Sequence, residues 1–451
     1  MKIALFGAGS AQFGYGMLGD MFQSEVLAGA EIALMDINPE ALGVVYDTAQ
    51  KHIEANNLSF SLSATTDRQE ALKDADFVLI SIEIGDRFSL WEEDWNVPQQ
   101  YGIRQVYGEN GGPGGLFHAL RIIPPILEIC DDAVEICPDA HIFCYSNPMT
   151  AITTAVHRKF PGIKFYGMCH EIASLERYLP SILDTPFENL NLRSAGLNHF
   201  SVLVNAAYKD SGKDAYPDIL SKAPAFFENE PGYSSIWEYV QKTGTIPETE
   251  GSRERFTAGL SKVKPWADRG LFKVLLDQFH LFPITVDSHL GEYIPWAYDA
   301  VDHKGIVDFF AFYKHALANV NPVISMEKHE RAVYMIEGIV TNTKYEEVAV
   351  NIPNKGYIPG LPADVAVEVP AMVDASGVEG IAFPEYPKAF GALLRNYTGV
   401  YDLTADAAIT GDKELVKQAI LVNPLVTEWR RVEELVDVML ERQKKWLGYI
   451  K

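Results

Sequence analysis

Ile3-Ala4-Leu5-Phe6-Gly7-Ala8-Gly9-Ser10 is the stretch on which the fold turns. Four apolar residues run straight into a Gly-x-Gly pair, which reads as a buried strand, a tight turn and the start of a helix. A second apolar run over residues 31–37 (EIALMDI) contains Asp36 near its end, and a third covers residues 76–82 (DFVLISI). Residues 141–145 (HIFCY) and 164–168 (KFYGM) read as further buried strands. Helical segments over 39–55 and 116–136 separate them. Strands alternating with helices predict an α/β fold built on a Rossmann-like, doubly wound parallel sheet. Ligands in such sheets gather beyond the carboxyl ends of the strands, which is where Asp36, Asn147 and Cys169 fall.

From about residue 190 the pattern changes. Residues 192–208 are strand-like, 234–278 mostly helical and charged, and 327–343 and 412–446 carry helical periodicity. Residues 348–374 alternate apolar positions with prolines, as an extended element does. No repeat or long linker interrupts the chain. The expected organisation is an NAD-binding domain over 1–190 and a mixed α+β domain over 191–451, which carries substrate, metal and oligomer contacts.

At 451 residues the chain is long enough for two such units. A net charge of -23 argues against nucleic acid or an anionic membrane surface as a partner, since both call for clustered positive charge. Four cysteines, Cys130, Cys137, Cys144 and Cys169, make no disulfide framework in a chain this long. Met1-Lys2 leads straight into the first strand, and no apolar stretch reaches the roughly 20 residues of a membrane span. The expectation is a cytoplasmic protein acting on a small molecule, as a homodimer or homotetramer.

The glycine turn has a mechanical reason. Gly7 and Gly9 let backbone amides approach a pyrophosphate at a helix N-terminus, with Ser10 and Gln12 completing the turn. Asp36 accepts hydrogen bonds from a ribose and repels a 2'-phosphate, so NAD is expected rather than NADP. Cys169 and His199 are a soft pair suited to a transition metal, with the cysteine as thiolate. Thirty residues separate them, so only the fold can bring them together. Residues 107–121 (YGENGGPGGLFHALR) put Glu109, Asn110 and His118 around a glycine-rich loop that lets backbone come close to something. Asn147 stands at a strand end before Pro148. Residues 287–293 (DSHLGEY) pack Asp287, His289, Glu292 and Tyr293 together, as either a solvated turn or an acid/base site.

These motifs, in this order along nearly the whole chain, resemble glycoside hydrolase family 4, the NAD- and divalent-metal-dependent glycosidases. The matching residues are Gly7-Ala8-Gly9-Ser10, Gly111-Gly112-Pro113-Gly114-Gly115-Leu116, Asn147-Pro148-Met149, Cys169-His170-Glu171, Asn198-His199, the segment 289–293, and Asn423-Pro424-Leu425-Val426. The resemblance implies Cys169 and His199 as ligands of Mn2+. It implies His170 and Asn147 as contacts to the reacting sugar. Glu109 stands where many members carry Asp, and His118 where many carry Arg, so contacts to the remote groups of the sugar differ here. The base comes from the stretch around 280–293. Phe279 replaces a tyrosine of some members, which leaves Asp287 first and Tyr293 second, with His289 and Glu292 in support.

The chemistry implied by the resemblance departs from the two-carboxylate glycosidases. The sugar is oxidised at C3 by NAD, deprotonated at C2, loses its aglycone by elimination, takes up water and is reduced again. Cys-Asp and Cys-Asn pairs at positions 169 and 170 accompany 6-phosphosugars in the family. Cys-His-Glu is similar to the branch acting on unphosphorylated α-glycosides, including α-glucosides, α-galacturonides and α-glucuronides. A lactate- or malate-type dehydrogenase, or another sugar dehydrogenase, shares the sheet and cofactor but would accumulate NADH. A binding protein with a vestigial NAD fold would turn nothing over.

Overall fold

The computed structural model describes residues 1–10, 13–169, 171, 173–246, 264–319, 323–324 and 331–451. Six strands form its parallel half: β1 (Lys2–Phe6), β2 (Glu31–Met35), β3 (Ser61–Thr65), β4 (Phe77–Ile80), β5 (His141–Cys144) and β6 (Phe165–Gly167). Their order is β3-β2-β1-β4-β5-β6. The chain therefore reverses its direction of travel between β1 and β4, and a crevice opens there beyond the carboxyl ends. Ile3, Ala4, Leu5 and Phe6 are fully buried, as are Val78, Leu79 and Ile80. A parallel sheet is covered by helices on both faces, which is why these strands read as unbroken apolar runs. β3 (SLSAT) is an exposed edge with no such run, and a reading based on hydrophobicity passes over it.

The second half is antiparallel. It comprises β7 (Leu190–Leu197), β8 (Phe200–Tyr208), β9 (Phe282–Pro283), β10 (Tyr345–Pro353), β11 (Ala366–Asp374) and β12 (Gly377–Gly380). The expected strand over 192–208 is a hairpin, β7 paired with β8 and turned at Asn198-His199. β10 pairs with β6 at Asn351 opposite Gly167, and β11 pairs with β7 at Glu368 opposite Gly196. All twelve strands thus belong to one sheet that crosses the junction near residue 190.

Helix Pro39–Asn56 is started by Asn38, whose side chain accepts from Glu40 N and Ala41 N. Helix Gly112–Ile136 begins inside the glycine-rich loop, with Gly111 as its cap. A Cβ at Gly111 would lie 2.6 Å from the carbonyl oxygen of Glu292, so the group that this loop approaches is the backbone of the 287–293 segment. Helix Lys388–Thr410 packs against Gly112–Ile136 and Met149–Lys159, tying the two halves together. Of the 234–278 expectation, Tyr233–Thr243 and Gly270–Val274 are helical, and 247–263 lie outside the described residues. No helix among the described residues is long and apolar enough to cross a membrane.

Candidate active site

At the end of β1 the chain enters its glycine turn. Gly7 N and Ala8 N both donate to Met35 O, at 3.0 and 3.1 Å. Gly9 N donates to Asp36 Oδ2 at 2.8 Å, and Asn38 N to Asp36 Oδ1 at 2.9 Å. The turn and the acid at the end of β2 are therefore one unit. Ser10 Oγ accepts from Phe13 N at 3.3 Å and Ser10 O from Gly14 N at 2.9 Å, so Ser10 opens helix Phe13–Phe22. Gln12 lies outside the described residues. Ile37, beside Asp36, is 86% exposed, a large apolar side chain left in solvent at the mouth of the crevice. On the other side of the crevice Ser146 Oγ bridges Ile82 N and Ile82 O, at 3.0 and 2.8 Å. This holds the ends of β4 and β5 together and places half-buried Asn147 at the rim, followed by a cis peptide bond to Pro148.

Beyond β6 the chain reaches Cys169, half-buried, whose sulfur accepts from Glu171 N at 3.5 Å. The β7–β8 turn carries His199 in the left-handed region at φ 60, a conformation few non-glycine residues adopt and one that histidine tolerates better than most. Asn198 N is held by Thr150 Oγ1 at 3.2 Å. The His199 and His289 rings lie 4.4 Å apart. One potential ligand atom from each of Glu171, His199 and His289 falls within 4.8 Å of the others. Two imidazoles and a carboxylate, with a cysteine two residues from that carboxylate, are a donor set fit for a divalent transition metal. His170 lies outside the described residues.

Behind this cluster stands a shell of charge. His289 Nδ1 lies 3.5 Å from Glu109 and 3.9 Å from Glu292, while Nε2 lies 3.8 Å from Glu171. Glu292 is fully buried and accepts from the backbone N–H groups of Glu109 and Asn110. Asn110 Nδ2 donates to Glu109 Oε2 at 3.2 Å. His118 takes Glu109 O at 2.9 Å and Glu83 at 3.4 Å. Arg87 pairs with Glu109 at 2.8 Å and with Glu83 at 3.6 Å, and donates to Tyr313 Oη at 2.9 Å.

Burial alone would strip the proton from His289, but Glu292, Glu171 and Glu109 outweigh it and push its pKa up to about 9. Burial raises the Glu171 carboxyl to about 7, against the pull of His289 and of Thr285, whose hydroxyl donates to Glu171 Oε1 at 2.6 Å. Glu171 Oε2 is buried without a hydrogen-bond partner among the described residues. Burial, then Glu171 and Glu368, hold the Cys169 thiol well above its usual range. In the metal-free protein it is therefore a thiol. A metal would have to displace its proton.

Asp287, the first expected base, sits elsewhere. It is fully buried, and its two oxygens accept from Leu271 N at 2.8 Å and Phe272 N at 2.9 Å, capping helix Gly270–Val274. Burial raises its pKa to about 7, yet both oxygens are turned into the protein. Tyr293 is likewise a core group. Its ring stacks on Phe200, and its hydroxyl lies 3.2 Å from both Asn198 O and Tyr401 Oη. Replacement Asp287→Ala leaves two buried N–H groups unpaired, at roughly 1–3 kcal/mol each. We expect it to lower unfolding stability by about 2–5 kcal/mol in urea titrations, whereas Asp287→Asn retains one acceptor and loses less. Deuterium exchange at the sugar's C2 that disappears in a well-folded Asp287→Asn enzyme would restore Asp287 as the base.

Sequence reading brings Cys169, His199, Glu109, Asn110, His118, His289 and Glu292 to this region. It passes over Glu83, Arg87 and Thr285, and gives Glu171 no role of its own. Glu83 and Arg87 follow the carboxyl end of β4, so the strand-end rule alone could have flagged them.

Comparison with known proteins is consistent along the full length. A family model described as family 4 glycosyl hydrolase matches residues 2–185, and one described as the family 4 C-terminal domain matches residues 194–426. An alpha-glucosidase from Erwinia rhapontici is 59% identical over 451 residues, covering 100% of this chain and 99% of that protein. An alpha-galacturonidase from Thermoanaerobacter italicus is 27% identical, covering 99% of this chain and 97% of its own. Among solved structures, a 6-phospho-beta glucosidase from Thermotoga maritima with manganese, NAD+ and glucose-6-phosphate superposes with a TM-score of 0.74. It is 20% identical and covers 99% of each chain, a likeness of fold.

Proposed function

The chain belongs to the family 4 glycosyl hydrolases, and we propose that it hydrolyses unphosphorylated α-glycosides, using NAD and a divalent metal ion such as Mn2+. The observation that carries the reading is the cluster of Glu171, His199 and His289 beside Cys169, placed beyond the same strand ends as the glycine turn. Within the class of α-glucosides, α-galacturonides and α-glucuronides, the site fits a neutral α-glucoside. Among the described residues of the cluster, Arg87 is already paired with Glu83 and Glu109, and His289 is flanked by Glu109, Glu171 and Glu292, so neither is left for a C6 carboxylate. The 59% identical alpha-glucosidase supports the same choice.

NAD supplies a hydride acceptor and donor, and the metal supplies positive charge for sugar hydroxyls. Gly7, Gly9, Ser10 and Asp36 would hold the dinucleotide, and exposed Ile37 offers an apolar surface for its adenine. Cys169 and His199 would hold the metal, with His289 facing it. Glu109 and Glu292 stand behind the His289 ring at 3.5 and 3.9 Å and balance its charge. Asn147, at the rim, lines the approach of the sugar, while Asn110 and His118 hold Glu109 and Glu83 behind the cluster. Glu171 acts as the base: its Oε2 has no hydrogen-bond partner among the described residues, its pKa of about 7 suits proton transfer near neutrality, and it takes the proton from C2. A cytoplasmic location and a homodimer or homotetramer belong to the same reading. Exposed Leu421, Val422 and Trp429 support assembly.

Hydrolysis of an aryl α-glucoside in D2O tests the proposal. The product sugar should carry deuterium at C2, and Glu171→Gln should slow turnover roughly 10²- to 10⁴-fold. Without metal the Glu171 carboxyl has a pKa of about 7, and a bound cation would lower it. The rate should therefore rise with pH through an ionisation at or below about 7. Product without deuterium at C2 would sink the elimination route, and stoichiometric NADH accumulation would favour a dehydrogenase. Running aryl α-galactoside, α-glucuronide and α-galacturonide beside the glucoside settles the sugar.

A further inference from the structure

Glu368 lies in the middle of β11 and is 1% exposed. Its carboxylate accepts from Ser201 Oγ at 2.8 Å, Asn198 Nδ2 at 2.9 Å and Asn351 Nδ2 at 3.3 Å. All three donors are neutral, so a buried carboxylate sits among hydrogen bonds with no basic side chain among those partners. Burial raises its pKa, against the pull of these three hydrogen bonds, so holding the ionised form here is expensive unless a positive charge nearby repays it.

Its position in the sheet shows what it joins. Cys169 follows β6 and His199 follows β7, and β10 and β11 lie between those two strands. Asn351 stands opposite Gly167 on one side and opposite Glu368 on the other. A Cβ at Gly167 would fall 2.8 Å from the Asn351 Cβ, so this close approach depends on glycine. Asn351 Nδ2 also lies 3.4 Å from Gly167 O. An unbroken path runs from Gly167, two residues before Cys169, through Asn351 and Glu368 to Asn198, the residue before His199.

Resting on the metal reading given above, we infer that Glu368 is a positioning residue for the metal centre: it fixes the spacing of the β6 end and the Asn198-His199 turn, and adds negative charge behind the ligands. It is not itself a ligand, since its oxygens are turned to Ser201, Asn198 and Asn351. Carboxylates that act behind metal ligands in this manner change affinity by about 10–100-fold when removed. Replacement Glu368→Gln keeps the shape but removes the charge and turns an amide toward groups that are themselves donors.

Metal-free wild type, Glu368→Gln and Ser201→Ala would be titrated with Mn2+, following the electron paramagnetic resonance of free Mn2+. NAD+ affinity and the thermal midpoint without metal are measured on the same samples. Glu368→Gln should bind Mn2+ about 10–100-fold more weakly, while its NAD+ affinity stays within about twofold of wild type. Ser201→Ala, which keeps the carboxylate and deletes one donor, should lose a smaller part and decides the matter if Glu368→Gln does not fold. Mn2+ binding within twofold of wild type in the folded variants overturns the inference. So does a loss of NAD+ affinity in proportion to Mn2+, the mark of a general structural role. Wild-type protein that binds no Mn2+ overturns both this inference and the metal reading on which it rests.

Discussion

Replacing His199 by Asn should abolish measurable Mn2+ binding and lower kcat/KM about a thousandfold. A metal acting on sugar oxygens contributes several kcal/mol of charge stabilisation, and about 1.4 kcal/mol corresponds to a factor of ten in rate. Asn is the informative substitution because position 199 is left-handed at φ 60, a region that Asn enters readily. The turn between β7 and β8 should therefore survive, with a thermal midpoint near that of wild type, while the imidazole is gone. Alanine at the same position would mix backbone strain with ligand loss. NAD+ affinity should change less than about threefold, since the glycine turn belongs to other strands. A His199→Asn enzyme that retains wild-type Mn2+ affinity would remove His199 from the metal site and leave Glu171, His289 and Cys169 to be reconsidered.

Replacing Gly7 by Val should be comparably severe at the cofactor. Gly7 adopts φ +82, and a Cβ there would lie 1.9 Å from the carbonyl oxygen of Ser81. That oxygen belongs to the backbone just past β4 and cannot swing away as a side-chain tip would. The turn must open, which breaks the Gly7 and Ala8 bonds to Met35 O and displaces the start of the following helix, the end that would face a pyrophosphate. We expect NAD+ binding to weaken at least about a hundredfold, near 2.7 kcal/mol, by fluorescence titration. Gly16, in the helix that follows, has nothing among the described residues within 4 Å of its Cβ position. Gly16→Ala should therefore leave NAD+ binding intact and, through better helix propensity, stabilise by up to about 1 kcal/mol. Equal losses from both substitutions would mean that glycine content, rather than the geometry of the turn, governs the site.

Much of this protein is legible without coordinates. Strands β1, β4 and β5 are buried on both faces, and that environment admits only unbroken apolar runs, so these strands stand out in the chain. The Gly7-x-Gly9 turn and Asp36 are equally plain, because a tight turn against a phosphate leaves few residue choices. Cys169 and His199 are visible through their chemistry. What the chain does not display is the company that each titratable residue keeps. Asp287 and Glu171 are both acids in polar stretches, and both are pushed to a pKa of about 7 by burial. One has both oxygens capping a helix, and the other leaves an oxygen without a hydrogen-bond partner among the described residues, beside two histidines. Glu368 is 170 residues from Asn198 in the chain, yet lies 2.9 Å from its side chain. The sequence by itself determined the parallel half-sheet, the cofactor turn and the kinds of ligand available, because local burial and backbone geometry restrict which residues can stand there. The tertiary structure alone decided which carboxylate caps a helix, which lies beside His199 and His289, and which stands behind the turn between β7 and β8. Those roles depend on charge, hydrogen bonds and access over a few ångströms, and such distances are set by strand pairing between residues far apart in the chain.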